Sequence, residues 1–500
     1  MADVGFGLPP QSAMRSCLVA TALARRMGLA EDDVRDAFYV ALLMHFGCVA
    51  LSHETAAAFG DELVVTRAVA RTNLGDPGDM AATLIPAITA GMSEPARART
   101  AEFAAGHGAE FGRRYDSGSC EVARDTARRI GLPASTQRAL YEVSESWSGG
   151  WAPRGIAGDE IALPARIVRA AADAAFFAEI EDGDGAVAAL WARAGGVLDP
   201  AVVETFVADA RSLLTEADAG DPRERILEVE PEPVVERDQR ELSEVAAAVG
   251  DLADLKSPFL HGHSKGVARL ATAAATRAGL AAAAVSRLEV AALLHDVGRV
   301  GISNAIWEKP GPLTRAEWEQ VRLHGYHAER ILATSPTLEP MAAIAGMDHE
   351  RLDGSGYHRG SNAGEIPVAA RLLAAADVYQ AMTQRRPHRD ALTPTAASDE
   401  LRREAKAGRL DADAVAAVLD AAGHRGQQRP SDLRPGGLSD REIEVLALVA
   451  EGCSNPQIAE RLYIARRTAE HHVQHIYAKI GVATRAGAAL FALQHDLLAK

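Results

Sequence analysis

Five hundred residues are more than one hydrophobic core serves, so about three domains are expected. Apolar residues make up 48% of the chain and aromatics only 5%; the long Ala-, Leu- and Val-rich stretches lack strand-like alternation, which excludes a sheet-based architecture and predicts an all-α protein. A formal net charge of −15 excludes general nucleic-acid binding by the whole surface, so any DNA contact must come from a locally basic element.

Cys17, Cys48, Cys120 and Cys453 lie far apart without CxxC spacing, the pattern of core thiols in a reducing compartment. No basic leader precedes an apolar stretch at the N-terminus, and no run approaches the roughly 20 apolar residues of a membrane span. The expectation is a soluble, cytoplasmic protein with no membrane partner.

Two segments read as linkers. Residues 216–239 are acidic and carry Pro222, Pro231 and Pro233, which favours an extended, solvated connection; residues 423–437 end on Pro435-Gly436-Gly437. The blocks between them are 1–215, 240–422 and 438–500.

The first two blocks repeat one another. Ala41-Leu42-Leu43-Met44-His45-Phe46-Gly47 reads against Ala292-Leu293-Leu294-His295-Asp296-Val297-Gly298, each after a Gly-Leu pair, Gly28-Leu29 and Gly279-Leu280, at the same spacing. Further on, Glu160 to Arg166 parallels Glu365 to Arg371, and Gly196-Val197-Leu198-Asp199 parallels Gly408-Arg409-Leu410-Asp411. In the first copy Ser12 stands for His263, Met44 for His295 and His45 for Asp296, while Trp147 to Trp151 replace an acidic, Gly-rich loop. That copy keeps the packing pattern without the ligands. His45, His53 and His107 have no companion ligands in sequence, so no metal is expected there.

In the second copy, periodicity puts Val267, Leu270 and Ala274 on one face of a helix starting near His263. A second helix, Leu288 to Val297, carries His295 and Asp296 near its end. Adjacent side chains on a helix diverge by about 100°, so one can serve one ion while the other bridges to a second. A further helix opens on the capping-box pattern Thr314-Arg315-Ala316-Glu317 and carries His324. The next ends at Asp348-His349, and a loop with Gly354, Gly356 and Tyr357 follows. Imidazole with bridging carboxylate suits iron, manganese or zinc-like ions better than magnesium alone.

These residues, with Lys309-Pro310-Gly311, Ile366-Pro367 and Arg386-Pro387-His388-Arg389, resemble the HD-GYP branch of the HD phosphohydrolases from about His263 to Leu419. The resemblance implies an all-helical, metal-dependent phosphodiesterase of cyclic di-GMP or a related nucleotide. It implies that His263, His295, Asp296 and Asp377 hold one divalent ion, and that Asp296 bridges to a second held by His324, Asp348 and His349. It also implies that Asp296 and Arg299 are catalytic, and that Arg299, Gly356 and Tyr357 meet the nucleotide. The chain departs from the family at Asp348, where a histidine is usual, at Arg299 for lysine, at His358 for the proline of Gly-Tyr-Pro, and at Gln380 for an aspartate. Phe259 replaces the glutamate of three-metal members, so two ions, iron or manganese, are expected.

The last block reads as four short helices, with capping-box patterns at Ser439-Asp440-Arg441-Glu442 and Ser454-Asn455-Pro456-Gln457 and a helix-turn-helix about Leu462-Tyr463-Ile464. On the next helix Ala469, Val473, Ile476 and Ile480 share an apolar face, leaving Arg466, Arg467, Glu470, His471 and Gln474 exposed in a locally basic stretch. The run from Leu438 to Arg485, including Glu451-Gly452-Cys453-Ser454-Asn455 and Lys479-Ile480-Gly481-Val482, resembles the LuxR-type DNA-binding domain. That resemblance implies that these five exposed residues contact duplex DNA and that the protein acts as a homodimer on paired half-sites. Two readings stay open: a nucleotide-hydrolysing enzyme joined to transcriptional control, or a non-catalytic transcription factor whose HD-like domains sense a ligand or metal and dimerise.

Overall fold

The structure, a computed structural model, describes residues 1–234, 237–424, 438–480, 482, 488–489, 491–492 and 497. It divides into two compact units, Met1–His424 and Arg425–Lys500. Among the described residues the regular elements are helices, and pairing of extended backbone is confined to isolated bridges such as Asp353 with Asn362.

The larger unit contains the repeat. Helices Ser12–Arg26 and Glu31–Leu43 recur as His263–Arg277 and Ala282–Leu294 with the same lengths, 15 and 13 residues, at a constant offset of 251. Each first helix leaves a residue with left-handed backbone, Gln11 at φ 69° and Gly262 at φ 73°. Each second helix passes into a 3-10 segment, Phe46–Leu51 or Val297–Gly301. A glycine in each segment lets a long helix press against it. A Cβ on Gly47 would lie 1.8 Å from the Ser119 carbonyl oxygen of helix Glu94–Arg129, and one on Gly298 would lie 2.0 Å from that of His324 in helix Arg315–Leu332. Beyond this point the offset is 205, taking Ser119 to His324, Glu145 to Glu350 and Arg166 to Arg371. The ion pairs Arg166–Asp199, at 2.7 Å, and Arg371–Asp411, at 2.9 Å, occupy corresponding places.

Each copy has its own core. In the first, Leu23, Phe38, Ile167, Leu190 and Phe206 are buried together; in the second, Val267, Leu270, Leu288, Leu373 and Val418. Leu293 is buried, whereas its counterpart Leu42 lies at the edge of the first core.

Three expectations change. His295 and Asp296 sit just past the end of helix Ala282–Leu294, at its junction with the 3-10 segment, and Asp348 and His349 follow helix Glu339–Ala345 in the same way. The acidic linker contains helix Pro222–Val229, capped by Asp221, and it is docked: Tyr39 donates to Glu230 at 2.7 Å and Arg25 to the Val229 carbonyl at 3.1 Å. Asp218 pairs with Arg15, Glu216 with Arg26, and Arg237 donates to the Ile130 carbonyl, so the segment is not solvated throughout. One stretch, Glu31–Phe59, is long and apolar enough by composition to cross a membrane, with mean hydropathy 1.5. It is broken into helix Glu31–Leu43, a 3-10 segment and helix Ser52–Phe59, and 44% of its apolar window is buried inside the fold.

The two copies are joined by a buried polar interface. Lys256 Nζ donates to Glu62 Oε1 at 2.7 Å with both side chains almost wholly buried, and Glu62 also accepts from the Asn304 backbone N–H and the Ser303 hydroxyl. Beside them Glu308 meets His53 at 2.5 Å and accepts from Ser257 at 2.6 Å, so His53 has a structural partner.

In the smaller unit, helices Asp440–Ala450, Asn455–Arg461 and Arg466–Ile480 pack around Val445, Leu446, Ile458, Ala469 and Ile476. The Ser439–Glu442 capping box forms, with Glu442 Oε2 accepting from the Ser439 N–H at 2.7 Å. The expected fourth helix falls mostly outside the described residues.

Candidate metal centre and DNA-contacting helix

Five segments of the second domain bring seven ligand-type side chains together. His263 opens its helix, His295 and Asp296 stand at a helix end, His324 is buried mid-helix, Asp348 and His349 follow a short helix, and Asp377 lies in helix Val368–Met382. They form two groups able to hold an ion, His263 with His295 and Asp296, and His324 with Asp348 and His349. Asp377 joins the first, 3.1 Å from His263 Nε2 and 3.8 Å from His295 Nε2. Asp296 lies between the groups: Oδ2 is 3.6 Å from His263 Nε2 and 3.7 Å from His295 Nε2, while Oδ1 is 3.9 Å from His324 Nε2.

The hydrogen bonds set the tautomers. His295 Nδ1 contacts the Ala292 carbonyl at 2.8 Å, His324 Nδ1 the Val321 carbonyl at 2.5 Å, and His263 Nδ1 the Gln384 side-chain oxygen at 2.9 Å. Each Nδ1–H is therefore the donor, which turns a lone pair on Nε2 into the site. There the polar atoms are orphaned: His295 Nε2, His324 Nε2, Asp296 Oδ1 and both oxygens of Asp348 are buried without a hydrogen-bond partner. Buried polar groups are normally satisfied, and five orphaned acceptor atoms converging from three segments fit a cation. The spacing also fits, because two ligands on one ion at about 2.1 Å lie about 3–4 Å apart.

The electrostatics describe the same demand. Burial disfavours charge on His295, but Asp296, Asp377 and Asp348 override it and carry its pKa up to about 10. Burial raises Asp348 well above the carboxylate range, with Asp377 and Asp296 adding to it against the pull of His295. Burial, with Arg299 nearby, takes His324 down to about 4.

The remaining expected residues are placed less simply. Arg299 donates to Asp296 Oδ2 at 3.1 Å and stacks on Trp307 with its guanidinium carbon 3.7 Å from the ring centroid, so it is held by the ligand set itself. Tyr357 stacks on His349, centroids 4.8 Å apart and 21° between planes. Gly356 is packed closely against backbone: a Cβ there would lie 2.4 Å from the Arg351 nitrogen and 2.6 Å from the His349 carbonyl oxygen. Gly356→Ala is expected to cost about 1–3 kcal/mol through overpacking against backbone. A denaturant midpoint equal to wild type would show that the loop yields freely.

Four residues without an assigned role belong to this picture. Buried Glu350 pins the loop by accepting from the Arg359 N–H at 2.7 Å and the Ser361 N–H at 2.8 Å. Gln384 orients His263, and Trp307 supports Arg299. Arg386 donates to the Phe259 carbonyl at 2.9 Å and reaches His263 at 3.5 Å; burial, then Arg299, lowers its pKa to about 10. Arg386 had a sequence signal in the Arg-Pro-His-Arg string and Glu350 in the Asp348-His349-Glu350 run; Gln384 and Trp307 had none.

In the smaller unit Arg466, Arg467, His471 and Gln474 are exposed, whereas Glu470 is half-buried and accepts from Arg466 Nε at 3.0 Å. His471 stacks on His475 with centroids 5.6 Å apart. Ala469, Val473 and Ile476 are buried, and Ile480 is only partly so because it ends the helix.

Fold and site together define a helical protein with an HD-type ligand cluster in its second repeat and a helix-turn-helix at its C-terminal end. Residues 247–414 match the HD domain family, and residues 437–492 match the bacterial regulatory proteins of the luxR family. The chain is 29% identical over 394 residues to 3'3'-cGAMP-specific phosphodiesterase 3 of Vibrio cholerae, covering 78% of this chain and 85% of that protein. It is 38% identical over 151 residues to a cyclic di-GMP phosphodiesterase of Thermotoga maritima, covering 30% of this chain and 41% of that protein. The crystal structure of a cyclic GMP-AMP specific phosphodiesterase of Vibrio cholerae, V-cGAP3, superposes with a TM-score of 0.56 at 25% identity, covering 85% of this chain and 96% of that one. The first and third likenesses extend well beyond the HD segment. The chain thus joins an HD domain related to cyclic dinucleotide phosphodiesterases to a LuxR-type DNA-binding domain.

Proposed function

We propose that the second repeat is a two-ion phosphodiesterase acting on a cyclic dinucleotide, and that the luxR-family domain places this activity on DNA in the cytoplasm, as a homodimer. The observation that carries the reading is Asp296, whose two oxygens face two separate ligand groups. His263, His295 and Asp377 would hold one iron or manganese ion, and His324, Asp348 and His349 the other. When bound, such a pair supplies a nucleophilic water at neutral pH and positive charge for the phosphate oxygens. The chain's own part is to orient the ligands, through Gln384 and the backbone carbonyls of Ala292 and Val321. It also sets Arg299 and Arg386 beside the centre as hydrogen-bond donors to the phosphate. Tyr357 and Gly356 would form the wall against the nucleotide. The long likeness to a 3'3'-cGAMP enzyme makes that molecule the first substrate to assay, beside cyclic di-GMP.

A second reading has an observation of its own. Arg299 is committed to Asp296 and Trp307, as a sensing site without turnover would allow. Protein purified without chelator, analysed for metal and then assayed with manganese or iron(II), separates the two. Turnover of either nucleotide supports the enzyme; two ions bound with no turnover of either supports a sensor.

For the DNA-binding half, Arg467→Ala is expected to weaken binding by roughly 1–3 kcal/mol if it meets a guanine edge, or to flatten the salt dependence if it meets phosphate. Anisotropy titrations on genomic fragments measure both. Protein ending at His424 should not bind, and its retention of full affinity would remove the role from this domain.

A further inference from the structure

The positions that form the metal centre in the second repeat line a cavity of about 280 Å3 in the first. By the two offsets, His263, His295 and Asp296 correspond to Ser12, Met44 and His45. His324, Asp348, His349 and Asp377 correspond to Ser119, Val143, Ser144 and Ala172, and all seven replacements lie on the cavity wall. Five of them are small, so space that imidazoles and carboxylates fill in one copy is left open in the other.

Most of the wall is apolar, with Phe6, Leu8, Phe59, Leu84, Ile88 and Phe111 contributing. Arg169 is different. It lines the cavity and, among the described residues, makes no hydrogen bond or ion pair. The two carboxylates whose charge it feels are engaged elsewhere, Asp116 accepting from Trp151 Nε1 at 2.6 Å and Asp173 pairing with Arg193 at 3.4 Å. Burial raises the pKa of both acids, which reduces the negative charge that competes for Arg169. Ser119 Oγ is buried on the same wall. A guanidinium near two buried carboxylates but in ion-pair contact with neither, at the edge of an apolar chamber of ligand size, is complementary to an anionic head group.

We propose that the first repeat is a binding site for a small apolar organic acid, with an aromatic or medium-chain aliphatic body among the phenylalanines and its anionic group on Arg169. The test uses the full chain and two probes: 1-anilinonaphthalene-8-sulfonate, read by fluorescence, and decanoate as competitor. Saturable binding of one sulfonate per chain is expected, with displacement by decanoate at least about tenfold better than by 1-decanol or decylammonium. Arg169→Met should weaken decanoate by about tenfold and leave decanol unchanged. Ala172→Phe, which fills the chamber, should remove both ligands while circular dichroism and the melting midpoint stay near wild type. Lack of saturable sulfonate binding, equal displacement by the three head groups, or undiminished decanoate binding in Ala172→Phe would overturn the assignment. Should either variant fail to fold, the head-group comparison in the wild-type protein decides.

Discussion

Asp296→Ala is expected to strip the second repeat of metal and to abolish phosphodiester turnover, with the largest effect of any single ligand change. One oxygen of Asp296 faces His263 and His295 and the other faces His324, so its removal takes a ligand from both groups at once. Replacing an outer partner of a metal ligand typically costs ~10–100-fold, and a shared inner ligand should exceed that. His349→Ala removes a ligand from one group only and should retain part of the metal. Metal analysis of the purified variants, with circular dichroism to confirm folding, measures the order. Equal metal retention in Asp296→Ala and wild type would refute a shared site, because Asp296 is the carboxylate placed between the two groups.

Glu62→Ala is expected to be the most damaging change away from that centre. It leaves the ammonium of Lys256 buried without a counter-charge and removes the acceptor for Ser303 and Asn304, and breaking such a pair typically costs ~3–5 kcal/mol. Lys256→Met should cost less, because Glu62 keeps the donors from Ser303 and Asn304. The double change Glu62→Ala with Lys256→Met should recover much of the loss, because no buried charge is then left unpaired. Denaturant midpoints of the four proteins give the comparison. Additive losses in the double variant would mean that the pair does not act as a unit.

Much of this protein is legible from local pattern. The all-helical class follows from Ala- and Leu-rich stretches without alternation, and the helix from His263 and the capping boxes at Thr314 and Ser439 form as their spacing predicts. The repeat is legible too, since an offset of 251 preserves helix lengths to the residue. The segment 216–239 misled because acidic, proline-bearing composition describes solvation and not docking.

Chain order supplies the ligand types, since histidine and aspartate at successive helix ends are a one-dimensional signal. It does not reveal which atoms meet. That Asp296 faces two groups depends on Gly298 letting helix Arg315–Leu332 approach to backbone contact, a long-range packing event. The loop pinned by Glu350, the buried Glu62–Lys256 pair and the open chamber around Arg169 arise in the same way. Each joins residues distant in sequence or depends on what distant residues leave unfilled. Hydrophobic period and capping chemistry act over about four residues, whereas these features come from close packing across the whole unit.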